Sequence, residues 1–472
     1  MKYEFVAGLE THIELSTKSK LFCFCKNEFG AEPNTRCCPV CMGMPGALPV
    51  MNRQAVYYGI KAGLALNCKI NTCSVMERKN YSYPDLPKAY QITQLSSPLC
   101  EGGYLELSTG KKIRITRIQI EEDAGKLIHK ENEVLIDYNR CSVPLIEIVS
   151  EPDISSCEEA REYVEKLRLL MRYIGISDCR MQEGSMRFDV NVSVRNQGEK
   201  TLGTRTEIKN MNSVSAMQKA MEYEYNRQIK TLSQGGAVSR ETLRYDEEKG
   251  ITVSMRSKED AKDYRFFFEP DLLSVMVSSK EIQKIKDSMP VLPFEKVKKY
   301  TEEYKLSKTD AEHLTKYRKI SEFFDEVVDK GADPSLVSKF IIGQIFSLFA
   351  TETEKEEFNL KITPLMLFEL CVFLEKGKIS RNLAKVTLDK MLSTGKRAGD
   401  FISAEDMKVI SEEELLQMCK KAIEENTSAA ADYKKGKEKA LMALLGAVMR
   451  YSKGKADPEN TKNLLADLIS ED

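Results

Sequence analysis

The sequence predicts an α+β domain to about residue 290 followed by helices, and three observations carry that expectation. A chain of 472 residues exceeds what one hydrophobic core organises, so two or three domains are expected. Residues 1–150 read as short alternating runs broken by Pro, Gly and Asn, the pattern of strands and turns. From Ser156 the apolar period lengthens to that of a helix, and beyond the Pro-punctuated SMPVLPFEK (288–296) the sequence is helical and poor in Gly. A further boundary near TGKRAGD (394–400) gives domains at 1–290, 291–400 and 401–472.

In chain order, GLETHIEL (8–15) comes first. Successive strand side chains point to opposite faces, so Glu10, His12 and Glu14 share one face and Leu9, Thr11, Ile13 and Leu15 the other. Two acids and a histidine on one face are costly to bury without a positive charge beside them. IRITRIQIEED (113–123) and SVPLIEIVSEPD (142–153) read as further strands. SCEEAREYVEKLRLLMRYIG (156–175) opens with Ser156 and Glu159, a capping-box pair, and carries apolar residues at 160, 164, 167, 171 and 174. Gly175 closes that helix. MRFDVNVSVR (186–195) returns to strand, and a helix near 212–232 ends at Gly235–Gly236. The final segment is acidic over 405–426 and then basic, with seven Lys or Arg against one Glu in 434–455.

Composition narrows the class. Apolar content of 42% and charged content of 30% describe a soluble globular protein. The 71 basic and 72 acidic residues leave a net charge of −1, so any nucleic-acid contact must be a local patch. MKYEFVAGLE lacks signal-peptide features, and FIIGQIFSLFA (340–350) is too short and polar to span a bilayer, so no membrane partner is expected. Thirteen cysteines without an export signal imply reduced thiols and a cytoplasmic location.

LFCFCKNEFGAEPNTRCCPVCMG (21–43) places five of those cysteines within nineteen positions. Cys23 and Cys25 form one close pair, Cys38 and Cys41 another, a spacing that suits a tetrahedral, structural Zn²⁺. Cys37 is the alternative to Cys38, but the two-residue gap from Cys38 to Cys41 fits a knuckle better. The opposing reading treats all five as small buried hydrophobes.

Three further stretches put charge where strands are ordinarily apolar. RKNYSYPDLPKAYQ (78–91) sets Arg78, Lys79 and Lys88 among Tyr81, Tyr83 and Tyr90, cations for phosphate and rings for a base. IEEDAGK (120–126) ends a strand at Glu122, and PLIEIVSEPD (144–153) puts Glu147 and Glu151 on one strand face. Glu10, His12, Glu122 and Glu147 could come from separate strands to one concave site, a donor set that fits Mg²⁺ rather than zinc; the opposing reading makes each a solvated strand residue or half of an ordinary salt bridge. AGKL (124–127) and TGKR (394–397) both fail the phosphate-loop pattern after the Lys, and no G-x-S-x-G elbow occurs. A Mg²⁺–phosphate site beside a zinc knuckle is as far as the residues lead by themselves.

GLETHIEL, CPVCMGMPGALPVMN (38–52), RKNYSYPDLPKAYQITQ (78–94), EEDAGK, NRCSVPLIEIVSEPD (139–153), GTRTEIKNMNS (203–213), DYRFFFEPD (263–271) and DYKKGKEKALMALLGAVMRYSKGKADP (432–458) together resemble the GatB family. Its members are the B subunits of tRNA-dependent amidotransferases. The resemblance runs in order over nearly the whole chain. It implies a cradle-like domain distantly similar to glutamine synthetase, then an all-helical domain, then a small helical tail. It also implies an activity: ATP-dependent phosphorylation of the side-chain carboxylate of Glu-tRNA(Gln), Asp-tRNA(Asn) or both, followed by amidation. Ammonia would come from a partner glutaminase, GatA, and a small third protein, GatC, would complete a heterotrimer.

On that resemblance Glu10, His12, Glu122 and Glu147 become catalytic Mg²⁺ ligands, and Lys79, Tyr81 and Lys88 contact ATP or substrate. Arg187 and Asp189 either line the same cavity or form an ion pair. Cys23, Cys25, Cys38 and Cys41 match the zinc-bearing branch of the family. Lys434, Lys435, Lys437, Lys439, Arg450, Lys453 and Lys455 flank an apolar helix and would bind tRNA phosphates; a solvated helix end is the alternative. One departure stands out: the family pattern often has Pro where Phe268 stands, which would alter a turn near the site. Two competing functions remain open, a non-catalytic zinc-knuckle scaffold that binds tRNA and a self-contained ligase acting on a free amino acid.

Overall fold

Strand β1 (Tyr3–Glu14) lies inside a mixed sheet of ten strands among the described residues. The computed structural model describes residues 3–209, 211, 213–257, 263–403, 411–434, 436–437, 439–452 and 456–471. Two peripheral strands, β2 (Glu77–Asn80) and β3 (Tyr90–Thr93), pair with each other. The large sheet uses β4 (Lys112–Glu122), β5 (Pro144–Ser150), β6 (Met186–Asn196), β7 (Thr206–Lys209), β8 (Glu241–Asp246) and β9 (Ile251–Ser257). Its order is β9-β8-β7-β6-β1-β5-β4, and the short strands Cys100–Glu101 and Lys69–Ile70 continue it beyond β4. The β7–β8 pair is parallel, and the other pairs along this path are antiparallel.

The alternation read in the sequence sorts the two faces. Leu9 and Ile13 of β1, Ile118 and Ile120 of β4, Ile146 and Ile148 of β5, and Val190 and Val192 of β6 are all buried. Burying each such side chain stabilises the fold by about 1.5–3 kcal/mol. Helices cover the sheet: α1 (Arg53–Ala65) packs on β4 and β5, and α3 (Val214–Ser233) packs on β6, β9 and α2 (Cys157–Tyr173). A bulge interrupts β4: Val149 pairs with Arg117, but the next residue, Ser150, pairs with Ile115. The skipped residue keeps Ile113 and Ile115 on the same face as Ile118 and Ile120.

The predicted capping box at Ser156 forms by half. Ser156 accepts from the Glu159 N–H at 3.1 Å, whereas the Glu159 carboxylate turns to Ser155 and Lys111. Gly175 follows in the left-handed region, φ +72°, as a helix C-terminus favours. Phe268 sits in a strand rather than a turn: Phe267–Phe268 pairs antiparallel with β2, Phe268 opposite Glu77.

The chain divides into two compact units, Met1–Leu292 and Pro293–Asp472. The second unit is helical and holds two hydrophobic clusters, one from Tyr300 to Ile402 and one from Cys419 to Ile469. Within the latter, α4 (Thr427–Lys434) precedes α5 (Lys439–Tyr451), whose Leu441, Leu444, Leu445, Ala447 and Val448 are buried. No helix among the described residues is long and apolar enough to cross a membrane.

Candidate active site

Three adjacent strands of the sheet's polar face build the centre. His12 on β1 lies opposite Glu147 on β5, and Glu147 lies opposite Gln119 on β4. His12 Nε2 stands 3.5 Å from Glu121 and 3.9 Å from Glu147. One donor atom from each of the three lies within 4.8 Å of the others. Glu121 accepts from Thr93 Oγ1 at 3.0 Å, which fixes its rotamer. The Glu147 carboxyl is raised to about 7, chiefly by burial and next by Glu121, with His12 opposing both. Two buried carboxylates facing each other across an imidazole are costly to keep charged without a cation. The oxygen-rich set fits Mg²⁺, which retains water and binds phosphate at its remaining positions.

The expectation for Glu122 is corrected by the strand's phase. Its neighbour Glu121 occupies the place expected of it, because adjacent residues on a strand face opposite ways. Glu122 points to the other face and is buried, paired with Lys88 and accepting from Ser142 Oγ at 2.5 Å and the Ile92 N–H at 2.9 Å. Lys88 is thus engaged in a buried ion pair, with Phe22 and Tyr90 against its ammonium. Sequence reasoning missed Glu121, although its phase relative to Ile118 and Ile120 marks it as polar-face.

Glu10 shares the face of His12 but groups with Asp189 and Glu207. It accepts from Asn191 at 3.0 Å and lies near enough to Glu147 to push that carboxyl up. Asp189 pairs with Lys209, and Arg187 reaches Asp123 at 2.5 Å, so the anticipated Arg187–Asp189 pair is replaced by two others. Burial alone would raise Asp123, but Arg187 and Arg140 outweigh it and hold that carboxyl at about 2. Lys79, on β2, has its ammonium 5.7 Å from the Tyr81 ring and 5.1 Å from that of Tyr264, and its charge pulls the Glu147 carboxyl down. Burial pushes the Tyr81 hydroxyl up. Glu10, His12, Glu147, Lys79 and Glu121 therefore form one electrostatic neighbourhood, with Lys88 and Glu122 behind it.

The four chosen cysteines converge as well. Cys23, Cys25, Cys38 and Cys41 bring their sulfurs within 4.8 Å of one another, and Cys38 and Cys41 are 3.9 Å apart. Tetrahedral zinc at about 2.3 Å from each sulfur requires an S···S spacing of about 3.8 Å. Cys37 turns away and bonds the Asn34 carbonyl. The hydrogen bond from Cys23 lowers the Cys41 thiol, while that same contact pushes Cys23 up.

Residues 5–283 match the family model of the GatB/GatE catalytic domain, and residues 322–469 match that of the GatB domain. The chain belongs to the GatB family. Its relatives include the B subunit of the aspartyl/glutamyl-tRNA(Asn/Gln) amidotransferase of Thermoanaerobacter pseudethanolicus, 50% identical and covering 100% of each chain. The proteins of that name from Caldanaerobacter subterraneus and Thermodesulfovibrio yellowstonii are 49% and 46% identical, again over 100% of each chain. The GatB/GatE catalytic match contains His12, Glu121, Glu147 and all four clustered cysteines. The GatB domain match contains the basic tail, where Lys434, Lys437, Lys439 and Arg450 are exposed and Lys437 pairs with Asp432 at 3.1 Å. Lys435, Lys453 and Lys455 lie outside the described residues.

Proposed function

We propose that this GatB chain works within a glutamine-dependent amidotransferase, a ligase that phosphorylates the side-chain carboxylate of Glu-tRNA(Gln), Asp-tRNA(Asn) or both with ATP and then amidates it. The reading is supported above all by the convergence of His12, Glu121 and Glu147 on the polar face of a sheet whose residues match the GatB/GatE catalytic domain. GatA would supply ammonia from glutamine, GatC would complete the heterotrimer, and the assembly would act in the cytoplasm.

A carboxylate resists attack because its own charge repels nucleophiles. Transfer of the terminal phosphoryl group of ATP to that carboxylate gives an acyl phosphate and ADP. Ammonia then attacks the acyl carbon and phosphate leaves. Bound Mg²⁺ would neutralise the phosphate oxygens as charge crowds together during transfer. His12, Glu121 and Glu147 would hold that ion, and Glu10 stands beside them. The Lys79 ammonium, which lies beside the rings of Tyr81 and Tyr264, would offset anionic charge on substrate. Thr93 and Gln119 fix the carboxylates before substrate arrives, so little reorganisation accompanies the reaction. The four-cysteine knuckle would be structural, since all four positions are filled by protein sulfur.

Reconstitution with GatA and GatC, ATP, glutamine and labelled Glu-tRNA(Gln) or Asp-tRNA(Asn) tests the reading. Glu121→Gln or Glu147→Gln is expected to lower amide formation by about 100-fold or more, with tRNA affinity kept. Full activity in both variants, together with loss of tRNA binding on tail charge reversal, would instead favour the scaffold reading.

A further inference from the structure

Lys20 is fully buried, at 0% exposure. Among the described residues, its ammonium reaches one hydrogen-bond acceptor, Cys41 Sγ, at 3.8 Å, and no carboxylate. An ammonium withdrawn from water with no anion beside it is strongly destabilising, so the anion must be at the sulfur cluster. Cys41 also accepts the Cys38 N–H at 3.1 Å, so two donors converge on one sulfur. The backbone holds Lys20 in place: its N–H donates to the Cys25 carbonyl at 3.0 Å, and its carbonyl accepts from Asn52 at 3.2 Å.

Four thiolates around one divalent ion leave a doubly negative centre. We propose that Lys20 balances the charge of the four-cysteine centre, its buried ammonium donating to Cys41 and strengthening the centre's hold on a divalent metal. The inference rests on the zinc reading of the knuckle and adds a residue that spacing in the sequence does not reveal. Lys20 acts through Cys41, so it is a positioning residue rather than a ligand. Partners of this kind ordinarily contribute about 10–100-fold to metal affinity.

The test uses the purified full-length chain and reads metal retention rather than activity. Bound zinc is quantified by elemental analysis, and its release is timed with a chromophoric chelator in excess at fixed pH. Wild type is expected to hold about one zinc. Lys20→Met should release it at least about tenfold faster, whereas Lys20→Arg, which keeps a cation, should remain within about threefold of wild type. Lys20→Gln keeps a donor without the charge and should release as Lys20→Met does, which carries the comparison if the methionine variant does not fold. Circular dichroism identifies the folded variants. Zinc-free wild type would remove the zinc reading itself. Zinc-loaded wild type with equally slow release from Lys20→Met or Lys20→Gln would overturn the role of Lys20 alone.

Discussion

Glu121 and Glu122 are neighbours with different surroundings. Glu121 faces His12, and Glu122 is buried against Lys88 and Ser142 on the opposite side. Glu121→Gln is expected to preserve the melting temperature while removing amide formation. Glu122→Gln leaves the Lys88 ammonium buried without its partner, and breaking such a pair costs about 3–5 kcal/mol. Urea denaturation of the two variants side by side should show the loss in Glu122→Gln only. The distinction was present in the sequence: Ile118 and Ile120 mark the apolar phase of the strand, and Glu122 continues it. Glu147 was legible because Ile146 and Ile148 flank it, and His12 because Leu9, Ile13 and Leu15 set the apolar phase of its strand. Lys20 was not, because nothing in its local sequence shows that the chain returns from Cys38 to Cys41 to meet it.

At the scale of the element, the cysteine knuckle is fastened to the cradle through backbone and side chain. The Leu21 N–H donates to the Ser142 carbonyl at 2.8 Å, and Gly43 lies against Lys88. Gly43 has φ +64°, and a Cβ there would stand 2.2 Å from Lys88 Cγ; Gly46 has φ +83° and open space around it. Gly46→Ala should therefore cost about 1 kcal/mol of backbone strain. Gly43→Ala should cost at least about 1 kcal/mol more, since Lys88 must shift. Urea midpoints of the two variants provide the comparison. The grouping of Cys23, Cys25, Cys38 and Cys41 was readable from the sequence because both pairs are local. The contact between Gly43 and Lys88 was not, because it joins segments that only the folded chain brings together.

For the whole molecule, a net charge of −1 means that any attraction for nucleic acid must come from an uneven distribution. In the tail, Lys434, Lys439 and Arg450 are exposed beside the buried face of α5. Replacing these three with Glu should weaken tRNA binding and flatten its dependence on salt by about one unit of slope for each phosphate no longer neutralised. Filter binding across a salt series measures both. An unchanged slope would assign the tail to solvent alone. The change from strands to helices near residue 290 was legible in composition, because loss of Gly and lengthening of the apolar period are local signals. The order of the strands was not, since β1 pairs with β5 and β6 across more than a hundred residues of sequence.

The bulge in β4 has a consequence for how this strand tolerates length change. Deleting the extra residue between Ile115 and Arg117 would leave the strand able to pair along its whole length with β5. It would also turn one end of the strand over: either Ile113 and Ile115 would emerge on the polar face, or Glu121 would leave it for the hydrophobic side. Insertions and deletions in this segment are therefore expected to be far more damaging than substitutions.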